Sequence, residues 1–280
     1  MATSNASSVA LFALALTTAS HTSLAQDGKA GFSSFLDKTH VLSLGAAEQT
    51  MDAGIRATAG DRDPVKLTLK DLGVGDNDTS YYAGYTFRWK PRWAIVGGAY
   101  SFKGTGGRTA QRDFNYDGVD YTAGAAVAAE VKVDAYLLDV MYSARRGDNY
   151  ELMVGGGLHA LDLGASITAE ASIDGEAARA TRSGTTLLAP VPNLRFSGVW
   201  EPAERIVLAA TFGWLSANID DYSGDFVYGH LRAMYRFSDR FGLSLGYQHT
   251  DIDITQTREN SEINYDLRFN GPTIALTYAF

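Results

Sequence analysis

Apolar and polar side chains alternate with a period of two along most of this chain, and this pattern constrains its fold more than any other feature. Between Tyr81 and Trp89, for example, every odd position is aromatic or apolar. Neighbouring side chains of a strand point to opposite faces, whereas a helix repeats about every 3.6 residues. The pattern therefore predicts an all-β protein. The alternation recurs at 136–144, 151–160, 193–200, 205–214, 227–237 and 241–248.

The connections between these segments alternate in length, which argues against a soluble sandwich with one wet face. Tight turns have the sequences WKPR, RRGDN, EPAER and FSDR, whereas 104–120 and 170–183 are long and polar. Short turns at one end and long loops at the other are typical of outer-membrane barrels. The sequence therefore predicts a transmembrane antiparallel up-and-down β-barrel.

Aromatic residues mark both ends of the apolar stripes, as they do at the two interfaces of a membrane. The stripes are therefore expected to face lipid between two aromatic girdles. Residues beside the short turns are Trp89, Trp93, Trp200, Phe237, Phe241 and Phe280, and those toward the long loops are Tyr100, Trp214 and Tyr247.

The alternation predicts ten strands, an even number that returns both ends of the chain to the periplasmic side. In the last strand Leu267 and Ile274 have opposite parity, which predicts a β-bulge near Asn270 and Gly271. The predicted strands are 40–57, 78–89, 92–103, 128–145, 149–165, 184–200, 204–217, 223–237, 240–255 and 262–280.

The beginning of the chain has the pattern of an export signal. The apolar run VALFALALTT is too short for a spanning helix, and Ser23, Leu24 and Ala25 form a small-x-small cleavage site. The prediction is a signal peptide at 1–25, a periplasmic lead at 26–39 and an outer-membrane barrel domain at 40–280.

Composition excludes several kinds of chemistry. The chain has no cysteine, which rules out disulfides, thiolate metal sites, cysteine nucleophiles and a lipid anchor. Its formal charge is −8 and it has no basic tail, which argues against a nucleic-acid partner. We expect no cofactor.

The last eight residues alternate strictly and end on an aromatic residue, with Ile274, Leu276, Tyr278 and Phe280 on one face. This ending resembles the C-terminal assembly signal of bacterial outer-membrane proteins. The resemblance implies recognition by the barrel-assembly machinery during insertion. Over about 40–280, the chain resembles the Gram-negative outer-membrane β-barrel superfamily that includes the small OmpA- and OmpW-like barrels.

Charged residues recur on the face opposite the apolar stripes, which in a barrel is the lumen. Buried charges are costly unless paired, so these residues should form networks, and Asp139, Arg195 and Arg232 are expected to converge into one. The charged lumen would either be plugged, the interpretation we favour, or attract anions into a narrow pore. The predicted members are Arg88, Asp139, Glu151, Arg195, Arg205, Arg232 and Arg236, with Arg145, Asp266 and Arg268 beside them.

Residues 113–118 match the start of a calcium loop, with Asp113, Asn115 and Asp117 at ligand positions. The twelfth position, where such a loop needs a bidentate glutamate, is Gly124. A tight Asp-Gly turn in a hairpin explains the segment equally well, and we favour this interpretation.

A hydrolase at the outer rim is a further alternative. Surface proteases of the omptin family, which the chain resembles in strand number, catalyse with an Asp-His and an Asp-Asp pair. Here His249 and Asp251 stand in the reverse order, and Asp220, Asp221 and Asp253 are loose candidates for the second pair. Lipid A-modifying enzymes on small barrels use Ser and His, for which the sequence offers no clear pairing.

These patterns together favour a monomeric, non-enzymatic outer-membrane barrel of structural or surface-interaction type, surrounded by lipid and lipopolysaccharide. The alternatives are a narrow pore for small solutes and the rim hydrolase.

Overall fold

The computed structural model describes residues 32–59, 65–68, 77–109, 114–116, 119–121, 124, 126–173, 176–183, 187–219, 222–258 and 261–280. The predicted signal peptide lies outside these residues. So do Asp113 and Asp117 of the proposed calcium loop, whereas Asn115 lies in a short strand.

In the described part of the chain, fourteen strands follow one short 3-10 helix at Phe35–Asp37. Among the described residues, no helix is long and apolar enough to cross a membrane. The strands are β1 (His40–Ala59), β2 (Val65–Thr68), β3 (Asn77–Lys90), β4 (Trp93–Thr109), β5 (Phe114–Tyr116), β6 (Val119–Tyr121), β7 (Ala126–Arg146), β8 (Tyr150–Ile173), β9 (Glu176–Ser183), β10 (Leu187–Ala203), β11 (Ile206–Ile219), β12 (Tyr222–Arg236), β13 (Phe241–Arg258) and β14 (Ser261–Ala279).

Ten of these strands form a closed antiparallel ring, which confirms the predicted fold class. The ring runs β1, β3, β4, β7, β8, β10, β11, β12, β13 and β14. It closes where the backbone amide of His40 donates to the carbonyl of Phe280, and that of Phe280 donates to the carbonyl of His40. Among the described residues, no strand of the ring is an edge strand, as hydrocarbon requires. The remaining four short strands pair outside the ring, β2 on β1, β9 on β8, and β5 with β6.

Several strands extend further than predicted at the end away from the short turns, which we call the outer end. β4 continues to Thr109, and β8 and β9 fill most of the stretch predicted as a long loop at 170–183. On the β4 extension the outward positions are Thr105, Gly107 and Thr109, so this extension lacks the apolar stripe that marks the membrane-spanning part.

The predicted bulge near Asn270 and Gly271 is wrong. The pairing of β13 with β14 runs without a register shift from Phe241 opposite Tyr278 to Arg258 opposite Ser261. Instead, the apolar side chains of β14 point outward at Ile274, where the outer face meets lipid, and inward at Leu267, where the outer face meets water. Gly271 has a different role: a Cβ there would lie 1.9 Å from the carbonyl oxygen of Glu48, so the backbone leaves no room for a side chain.

The lower part of the barrel carries large exposed apolar side chains around its outer face. Such a surface is stable only against hydrocarbon, and we call it the apolar band. Its members include Leu44, Tyr81, Trp89, Trp93, Tyr136, Leu138, Leu158, Phe196, Trp200, Phe212, Trp214, Leu231, Leu245, Tyr247, Ile274, Leu276 and Phe280. Tyr100, predicted for the outer girdle, instead points inward and donates a hydrogen bond to Gln49 Oε1.

Candidate functional site: the closed lumen

The middle of the lumen is occupied by a carboxylate that has no exposed surface. Asp139 Oδ2 accepts a hydrogen bond of 2.9 Å from Arg195 Nη1, and His159 Nε2 lies 3.6 Å from the other carboxylate oxygen. Asn193 Nδ2 lies 2.9 Å from the same ring nitrogen of His159. Three neighbouring strands, β7, β8 and β10, contribute these side chains, which belong to Asp139, His159, Asn193 and Arg195. The alternation in the sequence predicts that they point into the lumen.

A second ion pair fills the lumen nearer the short turns. Arg88 of β3 binds Glu151 of β8 through both carboxylate oxygens, at 2.9 and 2.5 Å. Glu151 is 1% exposed. Bidentate pairing of this kind fixes geometry as well as compensating charge. The contact spans two intervening strands, β4 and β7, so it crosses the barrel interior.

The inner mouth is crossed by residues 32–38, which we call the strap. Its Phe32 ring lies beneath two arginines, 4.7 Å from the Arg205 guanidinium carbon and 5.1 Å from that of Arg236. The side chain of Leu36 is buried. Arg146, the last residue of β7, donates to the carbonyl of Leu36 and to Asp37. Residues far apart around the ring therefore hold one short segment.

Two acidic side chains anchor the strap on the opposite side of the mouth. Glu201 accepts hydrogen bonds from Ser34 Oγ and from the backbone amide of Phe35, at 2.5 and 2.6 Å. Asp239 accepts from the amide and hydroxyl of Ser33, at 2.8 and 2.7 Å, and pairs with Lys38 Nζ at 2.6 Å. Although partial burial acts to raise it, these bonds from Lys38 and Ser33 lower the pKa of Asp239 to about 2.

The outer part of the lumen is closed by apolar side chains, which we call the apolar plug. Phe102 and Phe269 meet edge to face with ring centroids 5.6 Å apart, and each is at most 2% exposed. The plug consists of Met51, Phe102, Val133, Phe226, Ile252, Leu267 and Phe269. Sequence reasoning missed it, although the parity change in the last strand was its signal.

The predicted charge network is thus divided among separate places. Asp139 with Arg195 and Arg88 with Glu151 lie in the lumen, and Arg236 is buried at the mouth beside Glu201 and Asp239. Arg205 is exposed at the mouth. Arg232 points inward but does not join the Asp139 pair. The expectation that Asp139, Arg195 and Arg232 converge into one network is therefore wrong for Arg232.

Three further expectations for charged residues are corrected. Arg145 is exposed beside Tyr150, to whose hydroxyl its Nε donates. Asp266 and Arg268 are exposed on the outer surface, where Arg268 pairs with Asp251 at 3.2 Å. For Asp266 and Arg268 the reason is the same change of surroundings that removes the bulge: above the apolar band, the outward face meets water and the inward face is dry. Arg145 instead follows a register shift in the pairing of β7 with β8, between Ser143 and Arg145.

The histidines are also located. His159 and His230 face the lumen, and His230 Nε2 lies 3.1 Å from Thr273 Oγ1. His249 is exposed on the outer surface of β13. Within the described ranges, no group of three or more His, Cys, Asp or Glu side chains is placed to hold a metal ion.

Comparison with known proteins supports the fold without giving a relative. No protein-family model and no curated protein matches the chain. The outer membrane protease OmpT from Escherichia coli matches in structure with a TM-score of 0.55 and 11% identity, over 86% of this chain and 97% of that one. The outer membrane protein OprG from Pseudomonas aeruginosa matches with a TM-score of 0.38 and 13% identity, over 89% and 99%. The OmpT match and the closed ring of ten strands together show that the chain has the fold of an outer-membrane β-barrel.

Proposed function

We propose that this protein is a non-conducting, non-enzymatic barrel of the Gram-negative outer membrane that holds extended hairpins at the cell surface. The observation that carries the proposal is the complete burial of Asp139 at mid-lumen. In a water-filled pore this carboxylate would be hydrated. Here its charge is compensated by Arg195, and the space around it is filled by protein.

Closure at several heights supports the same conclusion. The strap crosses the inner mouth, the Arg88–Glu151 pair and the Asp139–Arg195 pair lie above it, and the apolar plug lies above both. A barrel of ten strands is close to the size at which side chains fill the interior. The narrow pore is therefore the less favoured function.

The hairpins support the surface role. On β8 the apolar band ends near Leu158, yet the strand continues to Ile173. About 15 residues at about 3.3 Å each extend this strand by about 50 Å of chain beyond the band. β9 pairs with this extension from Ser166 to Ile173, which stiffens it. Rigid projections of this length would present a surface to external partners.

The surroundings of the barrel are part of the proposal. We infer that lipid and lipopolysaccharide cover the apolar band, and that the protein acts as a monomer. We also infer that the assembly machinery recognises Ile274, Leu276, Tyr278 and Phe280, which face outward or lie half-buried at the closing strand.

Conductance in planar bilayers tests closure. The folded mature protein is expected to give no steps above the leak of the membrane. A variant that lacks the strap and carries alanine in place of Arg88, Glu151, Asp139, Arg195, Phe102 and Phe269, and so loses closing side chains at every height, serves as the opened control. Steady ion-conducting steps from the unmodified protein would overturn the proposal and favour the narrow pore.

Turnover assays test the non-enzymatic part. The folded protein is expected to leave peptide substrates and lipid A unchanged. Cleavage of either substrate, abolished by His249→Ala and not by His40→Ala, would show a rim hydrolase instead.

A further inference from the structure

A groove interrupts the apolar band on the outer face of three successive strands. Small residues form its floor, namely Gly198 of β10, Ala210 of β11 and Ala233 of β12. Gly198 lies opposite Ala210 in the strand pairing, and Ala233 lies opposite Leu208. The volume of the groove is about 590 Å³, within the range of about 300–1,000 Å³ that is typical of ligand sites. Its walls are the large exposed side chains of Leu152, Trp200, Leu231, Leu245 and Tyr247.

The groove lies in the part of the apolar band that is nearest the short turns. Its lining includes Tyr150, the first residue of β8, and Trp200, near the end of β10. The short turns of an outer-membrane barrel face the periplasm. The groove therefore opens to the periplasmic leaflet of the membrane, where the lipids are glycerophospholipids, and not to the lipopolysaccharide of the outer leaflet.

Two exposed arginines flank the end of the groove at the membrane interface. Arg145 Nε donates to the hydroxyl of Tyr150 at 2.9 Å, and Arg205 Nη1 donates to that of Tyr235 at 3.3 Å. Tyr150 lines the groove, and Tyr235 follows Ala233 on the outward face of β12. A guanidinium has five N–H donors, so each arginine keeps donors for a further acceptor.

The charge at this end of the groove favours an anion as its occupant. Among the described residues, neither arginine pairs with a carboxylate, although Asp148 and Glu204 lie in the adjoining turns. Arginine and phosphate form strong charge-assisted hydrogen bonds. A second copy of the barrel is a poorer occupant, because a twofold interface would bring the same unpaired arginines together at the same height.

We infer that this groove binds one anionic glycerophospholipid of the periplasmic leaflet. One acyl chain would lie on the floor of small residues, where the walls cover it on both sides, and the phosphate would accept hydrogen bonds from Arg145 beside Tyr150. This site needs only the outer-membrane fold. A barrel with an open lumen could hold the same lipid, so failure of this inference and failure of the proposed function are distinguishable.

Native mass spectrometry in detergent tests the site. The folded mature protein is mixed with equal amounts of phosphatidylglycerol and phosphatidylethanolamine that have identical acyl chains, and the first lipid retained is identified. The unmodified protein is expected to retain one phosphatidylglycerol in preference. Arg145→Gln should lower this preference about five-fold, the ratio that corresponds to about 1 kcal/mol for one basic residue near a membrane surface.

Two matched controls lie on another part of the barrel. Arg92 also donates to a tyrosine hydroxyl, that of Tyr142, but large lipid-facing side chains, including Trp93 and Val140, surround that pair. Arg92→Gln should therefore keep the lipid preference. Ala210→Phe fills the groove with an apolar side chain and should release both lipids, whereas Val140→Phe should release neither.

The phenylalanine variants keep an apolar surface toward lipid, so they should fold and remain heat-modifiable. An equal loss of preference in Arg145→Gln and Arg92→Gln would mean general attraction to a basic rim and would overturn the inference. Full lipid retention by Ala210→Phe, or a protein dimer in place of the lipid complex, would also overturn it. So would displacement of the lipid by an equal concentration of glycerol phosphate, because the acyl chain would then contribute nothing.

Discussion

The two halves of this barrel have opposite arrangements of polar and apolar residues on a continuous sheet. On β13, Leu245 points outward and is 63% exposed, whereas Ile252, seven positions on, points inward and is 2% exposed. The pairing register does not shift between them. Within the apolar band, the outside is apolar and the lumen is charged. Above it, the outside carries pairs such as Lys103 with Glu130, and the lumen is apolar. The outer surface of each half therefore has the polarity of the medium it contacts, which is lipid in the lower half and water in the upper half.

The comparison also explains how each half is closed. In the lower half, ionic side chains fill the lumen because the hydrophobic side chains are used on the lipid face. In the upper half, water outside allows the apolar residues to pack inside, as in a soluble protein. The first kind of closure depends on charge compensation and the second on packing, so the two halves should respond to different substitutions.

The largest effect is expected for Asp139→Ala in the lower half. It leaves Arg195 buried without its partner, which typically costs about 3–5 kcal/mol of unfolding free energy. Arg195→Ala in the same chain should recover part of that loss. Denaturant unfolding of the single and double variants in detergent measures the coupling. Strictly additive losses would mean that water screens the pair.

In the upper half, Ile252→Ala should cost about 2–5 kcal/mol, because it removes buried volume from the apolar plug. Asp253→Ala is the control on the neighbouring position, which faces water, and should change stability by less than about 1 kcal/mol. The same denaturant assay compares them. Similar losses from both would contradict a dry core above the membrane.

Substitutions on the outer faces of the two halves should also differ in their effect on stability, by somewhat less than the substitutions inside the barrel. Leu245→Arg places a charge in the apolar band, at a cost of about 2–4 kcal/mol near the bilayer midplane. Asp253→Arg lies on the same face of β13 above the band and should be nearly neutral. The yield of folded, heat-modifiable protein inserted into membranes reports the difference. Equal yields would mean that the band extends further up the strand.

The smallest effect concerns acid at the inner mouth. Because the pKa of Asp239 is lowered to about 2, its contribution is fully present above about pH 4 and is lost as the pH falls toward 2. Asp239 is partly exposed, so solvent weakens the effect. Amide exchange at Ser33 should speed up across this range, whereas exchange in the apolar plug should not. Asp239→Asn should remove the acid response of the strap.

Much of the fold was predictable because the apolar band imposes a strict period of two. The strand count, the inward parity of Asp139, Arg195 and His159, and the outward stripe of the last strand all follow from that alternation. The alternation failed at Leu267 and Phe269, where it predicted a bulge. A hydrophobic pattern indicates which face of a strand is away from water. It cannot distinguish a shift in strand register from a change in the medium outside the barrel.

The sequence by itself determined that this chain is an antiparallel barrel, because its period-two alternation predicts strands, and strands satisfy their backbone in hydrocarbon only when the sheet closes. It also determined which residues of the spanning part face the lumen. Only the tertiary structure decided which charges meet, since Arg88 reaches Glu151 across two strands while Arg232 meets no carboxylate among the described residues. It alone decided that the strap lies across the mouth. Such contacts depend on the closure and curvature of the sheet, which bring distant turns together and leave no trace in local periodicity.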